Sequence, residues 1–163
     1  MVDPKELYTK ASAKKAENQL LFRQLARMDA RKLDELVHRL HEEVFEEINC
    51  LECANCCRSL GPRITEVDIS RISSNLQLKP AQLLNEYLRK DEDGDFVFKS
   101  MPCPFLDSDN YCNIYETRPR ACREYPHTDR RRFFQLLPLS LKNTYTCPAV
   151  FEIVERIKTE MKK

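Results

Sequence analysis

Between Asp29 and Ile48 the apolar residues Leu33, Leu36, Val37, Leu40, Val44 and Ile48 return every three or four positions, with charged residues between them. That period draws one apolar stripe along a helix and leaves the other faces to solvent. The helix delivers the chain directly to Cys50. Near the C-terminus Val150, Ile153, Val154, Ile157 and Met161 repeat the pattern behind Pro148, a residue suited to the first helical position. At the other end Asp3, Pro4 and Glu6 have the order of a capped helix start, and helical composition with a weaker stripe runs to about Met28. The stretch RMDAR contains neither Gly nor Pro, so a hairpin and one continuous helix both satisfy it.

The middle of the chain is more broken. Gly61-Pro62 marks a turn, Thr65 with Asp68 three residues on has the form of a capping box, and Pro80 opens a further helix, PAQLLNEYLRK. That helix stops at DEDGD. Gly94 occupies the fourth place of this acidic run and Pro102 the twelfth, where a calcium loop needs Gly at about six and Glu at about twelve, so the run is an ordinary turn. FVF (Phe96 to Phe98) and YCNIY (Tyr111 to Tyr115) have the composition of short strands, and Pro119 starts a helical turn containing Cys122. The expected fold is mainly α with short β segments. It is a single small domain organised around a cysteine-rich metal site, with a helical segment over 1–49 packed on a metal-binding region over 50–163.

Composition sharpens this picture through one residue type. A chain of 163 residues buries roughly 70% of its unfolded surface without covalent help, so eight cysteines are a surplus. The opening MVDPKELYTK lacks the apolar core of a secretory signal, and no run approaches the roughly 20 apolar residues of a membrane span. A cytoplasmic setting without a membrane partner is therefore expected, and there metal ligation is favoured over four disulfides chosen from roughly a hundred pairings. Only Gly61 and Gly94 occur, which excludes P-loop and dinucleotide-binding loops. The formal charge of +1 counts every thiol as neutral, so thiolates bound to metal would remove any general pull toward nucleic acid.

The cysteines fall as four and four: Cys50, Cys53, Cys56 and Cys57, then Cys103, Cys112, Cys122 and Cys147. A C-x-x-C step lets two thiolates converge on one ion while backbone N–H groups turn toward the sulfurs. Cys50, Cys53 and Cys56 make two such steps, whereas adjacent Cys56 and Cys57 are expected to point apart and so to serve two centres or one bridged centre. Three thiols at this spacing, and the prolines after Cys103 and Cys147, lean toward an iron–sulfur cluster. Eight thiolates equally fit two tetrahedral zinc sites, each worth about 10 kcal/mol of folding energy.

Other residues carry weaker signals. Arg118, Arg120 and Arg123 surround Cys122 and would neutralise thiolates, hold an anionic partner, or simply form a solvated basic face. His127 is the histidine near the second group and a candidate ligand or acid/base residue, whereas His41 reads as packing and His38 as exposed. DRRRFF, Asp129 to Phe134, reads as a charged loop edge leading into buried phenylalanines rather than a nucleic-acid patch.

The motifs CLECANCC, CPFLDSDNYCNIYETRPRACREYPH and the CP at Cys147 together resemble the YkgJ-like cysteine-cluster family, described as zinc- or iron-chelating domains. The resemblance covers Cys50 to Pro148 and implies metal ions as partners of the cysteines. A related domain occurs in flagellin lysine N-methylases, which look like iron–sulfur proteins. The resemblance therefore also implies an alternative: an iron–sulfur enzyme of protein modification or redox chemistry, acting on a protein substrate or partner.

Overall fold

The computed structural model describes residues 3–162. In chain order the helices are α1 (Pro4–Ala13), α2 (Lys15–Leu25), α3 (Ala30–Glu47), α4 (Cys50–Cys53), α5 (Asn55–Ser59), α6 (Glu66–Leu76) and α7 (Pro80–Tyr87). Strands β1 (Leu88–Lys90) and β2 (Phe96–Phe98) follow, then α8 (Arg120–Glu124), α9 (Leu137–Asn143) and α10 (Pro148–Glu160). The fold is thus mainly α with short β segments, as the sequence implies. It is a small domain whose contacts gather into two compact units, one built from residues up to Asn49 and from Pro126 onward, the other from Cys50 to Tyr125.

In the first unit Asp3 accepts a hydrogen bond from the Lys5 N–H, and Pro4 takes the first position of α1. The run expected to reach Met28 breaks at Lys14 and ends at Leu25, and Asp29 then caps α3 through the Lys32 N–H at 3.1 Å. The RMDAR stretch is therefore a helix boundary rather than helix interior. Leu33, Val37, Leu40 and Val44 of α3 are buried, as are Val150, Ile153, Val154 and Ile157 of α10, and the two helices pack together. Arg156 bridges them to Glu47 at 2.7 Å, and Arg39 to Glu160 at 2.6 Å. Asp34, His38 and His41, which succeed one another along α3, hold the returning chain. Asp34 accepts the N–H groups of Arg132 and Phe133, His38 meets the Arg130 carbonyl, and His41 meets the Thr128 hydroxyl at 2.7 Å. His41 is half-buried against the Phe45 ring, which agrees with a packing role. Phe133 is buried but Phe134 is exposed, so only one of the two phenylalanines enters the core.

The second unit closes around Ile64, Ile69, Ile72, Leu83, Leu88, Phe98, Phe105 and Ile114. Thr65 and Asp68 make the capping box that starts α6. Two expectations are corrected here. The helix from Pro80 ends at Tyr87, and Leu88–Lys90 pairs antiparallel with Phe96–Phe98 across the DEDGD turn, because Leu88 opposite Phe98 buries both side chains. YCNIY is not a strand either: it supplies one isolated bridge, Leu106 to Cys112, before a 3-10 turn over Tyr115–Thr117. No described helix is long and apolar enough to cross a membrane.

Candidate metal centre

Seven of the eight cysteines lie in the second unit, on four local structures. α4 is a single turn closed by the Ala54 N–H on the Cys50 carbonyl at 2.9 Å, which sets Cys50 and Cys53 three residues apart on one side. Ala54 then turns left-handed, at φ 45° and 3% exposed, and breaks the helix before α5 carries Cys56 and Cys57. The Sγ atoms of these two neighbours are 3.9 Å apart. They do not diverge, contrary to the expectation that adjacent cysteines point apart.

The third structure is a finger, residues 103–113. The Cys103 N–H bonds the Cys57 carbonyl at 2.8 Å, joining the finger to α5, and Asn113 N–H on the Phe105 carbonyl closes it below Cys112. Asn110, at φ 71°, donates through Nδ2 to the Glu52 carbonyl at 2.8 Å and accepts from Arg58. The fourth structure is the 3-10 turn, Arg118, Pro119 and α8, which brings in Cys122.

The ionisation behaviour of the thiols reports their neighbours. Burial pushes Cys122 up to about 12, and the charges of Cys57, Cys103 and Cys112 add to this. Burial likewise pushes Cys103 up to about 11 and raises Cys112, with the charge of Cys57 acting on both. Cys50 is exposed as a residue, yet desolvation of its thiol, with the charges of Cys53 and Cys57, raises it too. Cys57 goes the other way, down to about 7, because Cys56 hydrogen-bonds its sulfur. Cys57 is thus the common neighbour of Cys50, Cys103, Cys112 and Cys122.

Groups that stabilise thiolates point into this set. The backbone N–H groups of Phe105 and Leu106 bond the Cys103 thiol, and that of Ile114 bonds Cys112. Arg118 is the cation that favours thiolate at Cys50, Cys112 and Cys122. It stacks 3.8 Å from the Tyr115 ring centroid and donates to the Tyr115 carbonyl at 2.6 Å. Among the described residues no three His, Cys, Asp or Glu side chains are drawn together tightly enough to enclose an ion. The donor set nevertheless fits a metal. Crowded, desolvated thiols oppose one another's ionisation, and a divalent cation relieves that opposition while the N–H groups already face the sulfurs.

A family model described as CxxCxxCC, a "putative zinc- or iron-chelating domain", matches residues 49–148, taking in all eight cysteines. The chain belongs to the CxxCxxCC family. No curated protein and no solved structure is similar enough to attach an activity or a fold comparison to it. Within the family match, Cys147 lies in the first unit, buried at the N-cap of α10 with its N–H on the Asn143 carbonyl at 2.8 Å. His127 also belongs to that unit, half-buried in a left-handed conformation at φ 67°. Arg120 is engaged by Glu124 and Arg123 is exposed, which leaves Arg118 as the arginine of the centre. Sequence reasoning missed Asn110, although Asn between Asp and an aromatic residue is a known occupant of left-handed turns and could have marked the finger's tip.

Proposed function

We propose that the chain chelates zinc or iron through the thiols of Cys50, Cys53, Cys56, Cys57, Cys103, Cys112 and Cys122, in a storage, regulatory or structural role. The observation that carries this reading is that the Cys57 charge acts on thiols from three other segments, α4, the finger and α8. The 3.9 Å between the Cys56 and Cys57 sulfurs supports shared ligation of one ion. Two thiolates on a tetrahedral ion with metal–sulfur bonds of about 2.3 Å lie about 3.8 Å apart. All eight cysteines are free thiols, which suits a reducing compartment such as the cytoplasm. A bound ion would supply the positive charge that ionises the thiols, with Arg118 as the auxiliary cation and the Phe105, Leu106 and Ile114 N–H groups orienting the sulfurs.

The test is elemental analysis and a visible spectrum of protein purified without oxygen, beside the variant Cys57→Ser/Cys103→Ser. Stoichiometric zinc without colour, or iron with visible absorption, is expected in the parent and should be lost in the variant. Full metal content in the variant would refute the proposal.

A further inference from the structure

A heavily bonded polar group of the second unit lies outside the thiols. Asp68, 1% exposed, accepts the Thr65 N–H at 3.0 Å and hydroxyl at 2.6 Å on Oδ2. Its Oδ1 accepts Arg71 Nη2 at 2.6 Å and the Arg120 N–H at 3.0 Å. Arg71 in turn reaches the Thr117 carbonyl through Nε at 3.3 Å and the Arg118 carbonyl through Nη2 at 2.8 Å. A helix cap needs only the Thr65 half of this arrangement. The other half takes hold of a segment roughly fifty residues away, and Pro119 in its middle has no N–H of its own to offer.

We infer that Asp68 and Arg71 are positioning residues of the thiol centre, a clamp on residues 117–120 that sets where the Arg118 guanidinium and the Cys122 sulfur stand. The inference rests on the metal-binding reading above. Two backbone carbonyls and one N–H are fixed within four residues, so the segment cannot rotate as a unit without breaking charge-assisted bonds. α8 is counted directly from that segment, since the N–H groups of Cys122 and Arg123 both bond the Pro119 carbonyl, at 3.0 and 3.1 Å. The carbonyl of Arg118 is itself one of the clamped groups, and its guanidinium is the cation acting on Cys50, Cys112 and Cys122. α6 makes a stiff base for the clamp because Ile69 and Ile72 seat it in the core. Partners that orient metal ligands without touching the metal commonly change affinity by about 10- to 100-fold.

The experiment uses the full chain and zinc as probe, with affinity read by competition against a chromophoric chelator and cobalt absorption as a readout of ligand geometry. Arg71→Met, which keeps the aliphatic stem, should weaken zinc binding by about tenfold or more and alter the cobalt–thiolate band. Arg71→Lys should follow it, because a point charge cannot span one carboxylate and two carbonyls. In the Cys122→Ser background the Arg71→Met penalty should shrink, since the Arg118 guanidinium alone would then be left for the clamp to position. Circular dichroism identifies any variant that fails to fold, and Arg71→Lys supplies the alternative if Arg71→Met does. Equal affinity in parent and Arg71 variants, or the same loss with and without Cys122, overturns the clamp while leaving the metal site standing. A parent chain that binds no zinc or cobalt overturns both.

Discussion

The low pKa of Cys57 leads to a selective chemistry in metal-stripped protein. Cys57 ionises at about 7, Cys103 at about 11 and Cys122 at about 12. At about pH 8 roughly nine in ten Cys57 side chains are thiolate, against about one in a thousand for Cys103 and one in ten thousand for Cys122. A low-pKa thiolate is also a weaker nucleophile, by a factor of about 10 raised to 0.45 per pKa unit. The two effects combine to an advantage of about 15-fold over Cys103 and about 50-fold over Cys122. All three residues are partly buried, so access alone does not decide the order. An aromatic disulfide should therefore label Cys57 ahead of Cys103 and Cys122, as followed by peptide mass mapping, and the Cys57 labelling rate should fall about tenfold between about pH 8 and 6. Cys56→Ala removes the hydrogen bond responsible and should move the inflection up toward the ordinary thiol value. Labelling of Cys103 or Cys122 as fast as Cys57, or a rate without an inflection near neutrality, would refute the reasoning.

Two further outcomes follow from residues away from the thiols. Burial works against the Asp68 charge, but the bonds from Thr65, Arg120 and Arg71 outweigh it and hold the carboxyl below its ordinary range. Its stabilisation is therefore complete above the unfolded value of about 4 and is lost as pH falls through the lower folded value, so Asp68→Asn should flatten the acid limb of a pH–stability curve. An unchanged limb would count against it. Gln77 ends α6 exposed at φ 55°, with the Leu78 N–H on the Ser73 carbonyl, and Gln77→Gly should raise stability to chemical denaturation by about 0.5–1 kcal/mol.

Where the determining interaction is local, the sequence could be read directly. Asp3 with Pro4, Thr65 with Asp68, and the prolines at 80 and 148 mark helix starts because a cap is decided within three or four residues. Leu88–Lys90 was beyond such reading, since helix and strand patterns both suit YLRK and only the distant Phe96–Phe98 decides between them. The thiol spacing announced metal chemistry. The Asp68–Arg71 clamp gave no signal, as its bonds link residues 46 to 52 positions apart. The placing of α5 after α4 depends in the same way on the left-handed Ala54, a conformation that nothing in CLECANCC requires.

The first unit is assembled from two stretches of chain separated by the whole of the second. Cys50 and Cys57 stand near the start of that intervening stretch and Cys122 near its end, with Cys57 a charge neighbour of both Cys50 and Cys122. An ion held by these thiols would act as a knot tied across the base of a long loop. Closing a loop of about 75 residues costs about 4 kcal/mol of chain entropy. Metal bound among the cysteines would remove that cost in advance for α1, α2, α3, α9 and α10, so the stability of helices far along the chain from Cys50 and Cys57 would depend on the metal supply.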